Sequence, residues 1–303
     1  MASRVAFVTG VCLLAAGVVG LQAARDRLRP LPVPAGGGAV MYVRSSEAIK
    51  RIVLGFDGLA ADVYWLRAIQ HYGGTKRSGD LSKTYDQLFP LLDLTTSLDP
   101  RFKIAYRFGG IFLAEPYPSG AGRPDLAVAL LKKGLRADPT RWEYAQDLGF
   151  VYYWWQGNYM EAASWFVKAG DIPGAPNWLK PLAAVTLSQG GSRASSRQLW
   201  KQVLASAEVD WLRNSAIQRL RQLDALDQMD LLNQRIDRYV RRTGSRPRSW
   251  VDLVRTRDLP GVPVDPDGRP WGLDPDTGRA RLDPGSSLLP LPTEPLRAAP
   301  IPG

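Results

Sequence analysis

The sequence predicts an all-α protein: a solenoid of helix pairs, preceded by an N-terminal transmembrane helix and followed by a small module of one helix plus a β-hairpin. Three observations carry this. From Gly55 to about Arg242, apolar residues recur at spacings of three and four, and no stretch keeps the period-two alternation of a sheet. Proline punctuates that region at Pro100, Pro139 and Pro173, 39 and 34 residues apart. Before it, Val5 to Ala24 runs twenty residues without a charge.

That first run is read as an uncleaved membrane anchor within residues 1–29. Twenty residues of helix span about 30 Å, the thickness of a bilayer's hydrocarbon core. A cleaved signal peptide is the nearest alternative, but Gly20-Leu21-Gln22-Ala23-Ala24 is a poor cleavage pattern. Arg25, Arg27 and Arg29 follow the span, and by the positive-inside rule alone they would keep the body in the cytoplasm. A short N-terminal span with almost nothing before it more often acts as an export signal, so the body is read as periplasmic or extracytoplasmic. Residues 30–54 form a linker that opens with the Pro- and Gly-rich PLPVPAGGGAV.

Residues 55–210 divide into helix pairs at about 55–100, 101–139, 140–173 and 175–208. In the first, Leu59, Val63, Leu66, Ile69 and Tyr72 make one stripe, and Leu81, Tyr85, Leu88, Leu92, Thr95 and Leu98 belong to the next. Gly73-Gly74 and Asp99-Pro100 read as breaks. A Pro- and Gly-rich insertion, Pro116 to Pro124, falls where the second pair should turn.

The third pair carries the sharpest motif. Leu148-Gly149 and Tyr152 stand in its first helix, Gly157 and Tyr159 at its turn, and Ala162, Phe166, Ala169 and Pro173 in and after its second helix. This pattern resembles the tetratricopeptide (TPR) family, whose period is 34 residues. One extra residue between Tyr152 and Gly157 departs from it. Weaker echoes are Phe108-Gly109, Phe112, Ala127, Leu131 and Pro139 before, and Ala183, Leu187, Gly190-Gly191, Ala194 and Leu199 after. The resemblance implies a TPR-like α-solenoid, in which small residues let paired helices approach and stacked pairs share one core.

Residues 211–245 supply the capping helix or helices, with an apolar stripe from Leu212 to Tyr239. Asp224, Asp227 and Asp230 step by three along it and read as a solvated face. Residues 246–284 change character. A short helix from Trp250 to Thr256 precedes two short strands around Asp274-Pro275-Asp276-Thr277-Gly278, where Gly supplies the turn. Leu253, Leu259-Pro260 and Asp265-Pro266-Asp267-Gly268-Arg269-Pro270-Trp271 are similar in order to the C-terminal hairpin module of type II secretion pseudopilins. Asp265 and Asp267 could open a calcium loop, but prolines interrupt it and a structural turn is the favoured reading. Residues 285–303 read as a disordered Pro-rich tail.

Composition narrows the function. One His and one Cys leave no His- or Cys-based metal site, and any Cys–His or Ser–His–Asp mechanism would rest on His71 alone. No Gly-rich phosphate loop appears. The expectation is a protein that is not an enzyme, with no metal, no cofactor and no catalytic residue. It is read as a membrane-anchored scaffold or adaptor of bacterial envelope, secretion or pilus-type assembly. The TPR resemblance places a protein or peptide partner in the concave groove, near Lys103, Tyr106, Gln146, Tyr153 and Trp154. Residues 5–24 bring it to the membrane. The alternative is a basic surface for nucleic acid or anionic lipid. The net charge is +10, and Leu212 to Arg257 holds eleven Arg against five Asp. A membrane anchor disfavours the nucleic-acid half of that alternative.

Overall fold

The computed structural model describes residues 45–294 except 81, together with positions 14, 16–18, 20, 21 and 24. The anchor read at 5–24 therefore lies largely outside the described residues. Among the described residues no helix is long and apolar enough to cross a membrane.

The body is mainly helical, with helices packed in chain order in a row. A short helix α1 (Ser46–Val53) leads into α2 (Asp57–Arg77), which packs on α3 (Leu88–Leu98). Then come α4 (Lys103–Ala114) on α5 (Pro124–Ala137), and α6 (Trp142–Phe150) on α7 (Tyr159–Asp171). Next are α8 (Leu179–Gln189) on α9 (Arg193–Ala205), and the long α10 (Asp210–Thr243). A last short helix, α11 (Trp250–Arg255), precedes a two-stranded antiparallel hairpin, β1 (Gly272–Leu273) with β2 (Ala280–Arg281). This arrangement is compatible with an α-solenoid.

Local chemistry explains the joints. Asp99 and Asp138 each come directly after a second helix, and each carboxylate accepts the amide two residues on, Arg101 at 2.9 Å and Thr140 at 3.1 Å. Such turns end one pair and aim the next. Pro124 occupies the first turn of α5, where a missing N–H costs nothing. The insertion before it folds back on the first pair, where the Tyr85 hydroxyl donates to the Pro118 carbonyl at 3.0 Å.

Paired helices meet at glycine. A Cβ on Gly149 would lie 2.4 Å from the Phe166 ring, and one on Gly109 would lie 2.9 Å from Leu92 and Leu130. Phe166, Leu92, Leu130 and Leu148 are fully buried, so these contacts sit in the core rather than at its rim.

Four expectations need correction. Gly73-Gly74 does not break the first helix: α2 continues through both to Arg77, because glycine in a helix interior costs only about 1 kcal/mol and the flanking residues pack. The extra residue after Tyr152 does not lengthen a loop. It is taken up as a π-helical turn, Val151–Trp155, that continues α6. Asp224, Asp227 and Asp230 are not simply solvated. They face Arg193 and Arg197 of α9, with Arg193 2.9 Å from Asp227 and 2.7 Å from Asp230. Nor is the Pro-rich tail loose as far as Glu294. Leu288 is buried, Gln222 of α10 donates to the carbonyls of Leu288 and Pro290, and Glu294 pairs with Arg193.

The C-terminal module is seated on α10. Trp271 is buried, the Trp250 indole N–H donates to the Trp271 carbonyl at 2.7 Å, and the Ala280 amide donates to Asn233 at 2.9 Å. Asp265 organises the turn. One carboxylate oxygen accepts the amides of Asp267 and Arg269, and the other accepts the Ser286 hydroxyl at 2.7 Å.

The glycine contacts make opposite predictions at two helical positions. Gly149→Ala should lower stability by roughly 1–3 kcal/mol through overpacking against Phe166, although alanine is the better helix former. Phe166→Leu in the same chain should recover part of the loss. Gly74→Ala meets nothing within 4 Å and should instead raise stability by roughly 0.4–1 kcal/mol. Chemical denaturation of the three variants checks both signs.

Candidate partner-binding face

In each pair one side of the first helix is committed to the second helix, and the flanks are committed to neighbouring first helices. At about 100° per residue this leaves one side uncommitted. On α4, Tyr106, Gly109 and Leu113 turn inward. Phe112 meets α2 by stacking, its ring 4.0 Å from Tyr72 and 6.2 Å from Trp65. Lys103 and Arg107 reach toward α6, pairing with Glu143 and Asp147. What remains is Ile104, Phe108 and Ile111, each about half exposed.

The same side continues on both neighbours. On α2 it presents Leu66 and Ile69, opposite the buried Ala61, Tyr64 and Ala68. On α6 and its π turn it presents Gln146, Phe150 and Trp154, opposite Tyr144 and Leu148. Trp154 is 62% exposed and stacks on Phe150 with ring centroids 4.4 Å apart. The outcome is a strip of aliphatic and aromatic side chains across three first helices, left largely uncovered by the second helices of the described residues; Phe150 alone is half-buried, edge-on to Phe166 of α7 at 5.0 Å.

The residues expected in the groove divide accordingly. Gln146 and Trp154 lie on this strip. Lys103 lies at its edge, held by Glu143 of the next unit. Tyr153 is half-buried and donates its hydroxyl to Gln189 at the end of α8, 2.8 Å away. Tyr106 does not belong. It is fully buried, 5.2 Å ring to ring from Tyr144, because its position on α4 points at α5. Burial raises its hydroxyl pKa and pushes that of Tyr144 up to about 12, as expected of core phenols.

Ile104, Phe108, Ile111 and Phe150 were missed from sequence. A signal existed: α4 reads KIAYRFGGIFLA, with more apolar positions than one buried stripe needs.

Electrostatics at the strip's edges serve the fold. Arg107 grips Asp147 with two bonds, 2.6 and 3.0 Å. Burial nonetheless holds the Asp147 carboxyl above its usual range, so the pair fixes register more than it adds stability. For Glu143 burial acts upward too, but the Lys103 ammonium and its own backbone amide bring it below the ordinary value.

His71 is far from this strip in character. It is nearly buried, edge-on to Tyr85, and its Nε2 has no hydrogen-bond partner among the described residues. Among the described residues no group of three or more His, Cys, Asp or Glu is placed to hold a metal ion. No family model matches the chain, and no curated protein matches it in sequence.

His71 yields a pH prediction. Burial lowers its pKa, against an upward pull from Asp86. The unfolded chain therefore takes up a proton near the ordinary value of about 6.5 that the folded chain refuses. Stability from this group is full above that value and is lost as pH falls below it, until the folded pKa is reached. His71→Phe should flatten the fall in urea midpoint between about pH 7 and about pH 5.

Proposed function

We propose that the protein is a non-enzymatic scaffold of the tetratricopeptide kind, anchored to a membrane by residues 5–24, that holds a protein partner along the open side of its first helices. The observation that carries this reading is the strip itself. Exposed aliphatic and aromatic side chains on three successive first helices, with Trp154 stacked on Phe150 at one end, make a surface of the kind that buries an apolar helix face or segment. Its rim is charged but internally paired, through Lys103–Glu143 and Arg107–Asp147, so the strip selects by shape and apolarity more than by charge.

The alternative rests on the Arg-rich stretch from Leu212 in α10 to Arg257, just past α11. Several of those arginines serve the fold: Arg242 pairs with Asp258, Arg221 with Asp267 and Arg213 with Asp210. That leaves less of the stretch for phosphate than the sequence count suggests.

A photo-crosslinking amino acid at Phe108 or Trp154 in the full-length protein, expressed in its native membranes, should capture a protein partner that the same group at Lys201 does not. Trp154→Ala should weaken that capture while leaving the melting temperature nearly unchanged, since the side chain is mostly exposed. Equal capture at all three positions, or capture of nucleic acid, sinks the reading.

A further inference from the structure

Among the described residues the row of helices is closed at one end only. At its C-terminal end the first half of α10 covers the last pair, and the hairpin module covers the second half of α10. At the other end stands α1, which is two turns long and does not cover α2 completely. Between them runs a cleft of about 360 Å³ lined mainly by Ile49, Ile52, Leu59, Val63 and Tyr64, with Arg67 also in its lining. Around its mouth the apolar side chains are more open than anywhere on the partner-binding strip, Trp154 included. Leu54 is 84% exposed, Phe56 69%, Ile52 68% and Leu59 64%. Leu54 adopts a left-handed backbone conformation (φ 49°), which turns the chain sharply between α1 and α2 and leaves Leu54 and Phe56 at the apex of the joint.

We infer that this end face is a second membrane contact: it lies in the headgroup–acyl boundary of the bilayer that residues 5–24 enter. The inference rests on the proposed anchor and adds to it an orientation of the body. Three facts favour lipid as the occupant. First, the end face is where the chain enters the body, so of the body's surfaces it is the one joined most directly to the proposed anchor, through residues 25–44 with a reach of at most about 70 Å. Second, the exposed groups are aliphatic plus one phenyl ring, projecting from the apex of a turn. They form a wedge that fits an acyl layer, which needs no shape complement. Third, Lys50 and Arg51 are exposed in the last turn of α1 beside Ile52, where long basic side chains reach headgroup phosphates while the apolar residues sink. Of the acidic groups nearby, Glu47 lies at the opposite end of that helix, while Asp57 and Asp62 stand on α2 beside Phe56 and Val63. On α2 the strip's Leu66 follows Leu59 and Val63 of the end face along one side of the helix, so the two surfaces adjoin there, whereas Ile104, Phe108, Ile111 and Trp154 lie on α4 and α6 further along the row.

The test uses the full-length protein with Cys12→Ser, so that one introduced cysteine carries an environment-sensitive fluorophore. The label is placed at Ile52→Cys, Phe56→Cys or, as a distant control, Glu208→Cys. Each form is reconstituted into vesicles of phosphatidylcholine and phosphatidylglycerol, with or without bromine on the acyl chains near the headgroup. The expected result is loss of emission at Ile52 and Phe56 in brominated vesicles and none at Glu208. Adding Leu59→Glu to the Phe56→Cys form should reduce that loss. Carbonate extraction of the same vesicles reports on the anchor separately. If the protein resists carbonate but neither end-face label is quenched, the inference fails and the anchor stands. If carbonate strips the protein yet both labels are quenched at neutral pH, the end face stands and the anchor falls. A label that shifts to the blue without bromine quenching, in a form that crosslinks as a dimer, assigns the face to a second copy and overturns the inference.

Discussion

The structure depends on how closely the two helices of a pair approach. At Gly149 the Phe166 ring occupies the space where any side chain would begin, and at Gly109 the methyls of Leu92 and Leu130 do the same. Gly134 plays the reciprocal part on a second helix, with a Cβ position 3.0 Å from Tyr106 and 3.2 Å from Tyr144. A helix pair held this tightly buries one side of each helix and cannot bury the other alone. The remaining sides then have two fates. Those facing a neighbouring pair become core, and those facing neither become surface. The position of the strip on α2, α4 and α6 is therefore a consequence of the same packing, whereas its apolarity is not accounted for by the fold.

Register between pairs is set by a different device. Lys103–Glu143, Arg107–Asp147 and Asp93–Lys133 each join residues 40 apart in sequence. Lys133 reaches four oxygens of α3: the Asp93 carboxylate and carbonyl, and the hydroxyls of Thr96 and Ser97. Partly buried pairs of this kind add little net stability individually, because desolvation offsets much of their attraction. A one-residue slip of the second pair along the third breaks Lys103–Glu143 and Arg107–Asp147 together, and a slip of the first along the second breaks Asp93–Lys133, so they act on specificity more than on free energy.

Much of this was legible because it is local. Asp-Pro at 99–100 and 138–139 marks a carboxylate that caps a turn and a residue that cannot continue a helix, and both motifs lie between pairs. The order of helix, turn and hairpin after Gly244 was readable for the same reason. What escaped depends on contacts far along the chain. Tyr106 and Phe108 are two residues apart and both aromatic, but one is fully buried and the other half exposed. Only the direction of α5 decides between them. The tail was unreadable because its order comes from Gln222 and Arg193, 66 and 101 residues away from their partners. The π turn was visible only as a surplus residue, and its effect, placing Trp154 outward against Phe150, needed the backbone.

Arg193 shows how the two ends of the row come to differ. Its side chain is almost wholly buried, between α9, α10 and the tail, and it meets Asp227, Asp230 and Glu294. The Glu294 bond, more than any other, raises its already high pKa. A buried guanidinium is costly unless its donors are satisfied, and here α9, α10 and a segment about a hundred residues on must all be in place to satisfy them. The C-terminal end therefore closes as one unit, with α10 packing its first half on the last pair and its second half on the hairpin module. Among the described residues nothing equivalent stands where the chain enters the body. The α1 helix contributes Ile49 to the core and little more, and it leaves Ile52, Leu54 and Phe56 outside. A row capped by charge at one end and left apolar at the other is asymmetric along its axis, which is the property a body needs if one end is to face a membrane and its flank a partner.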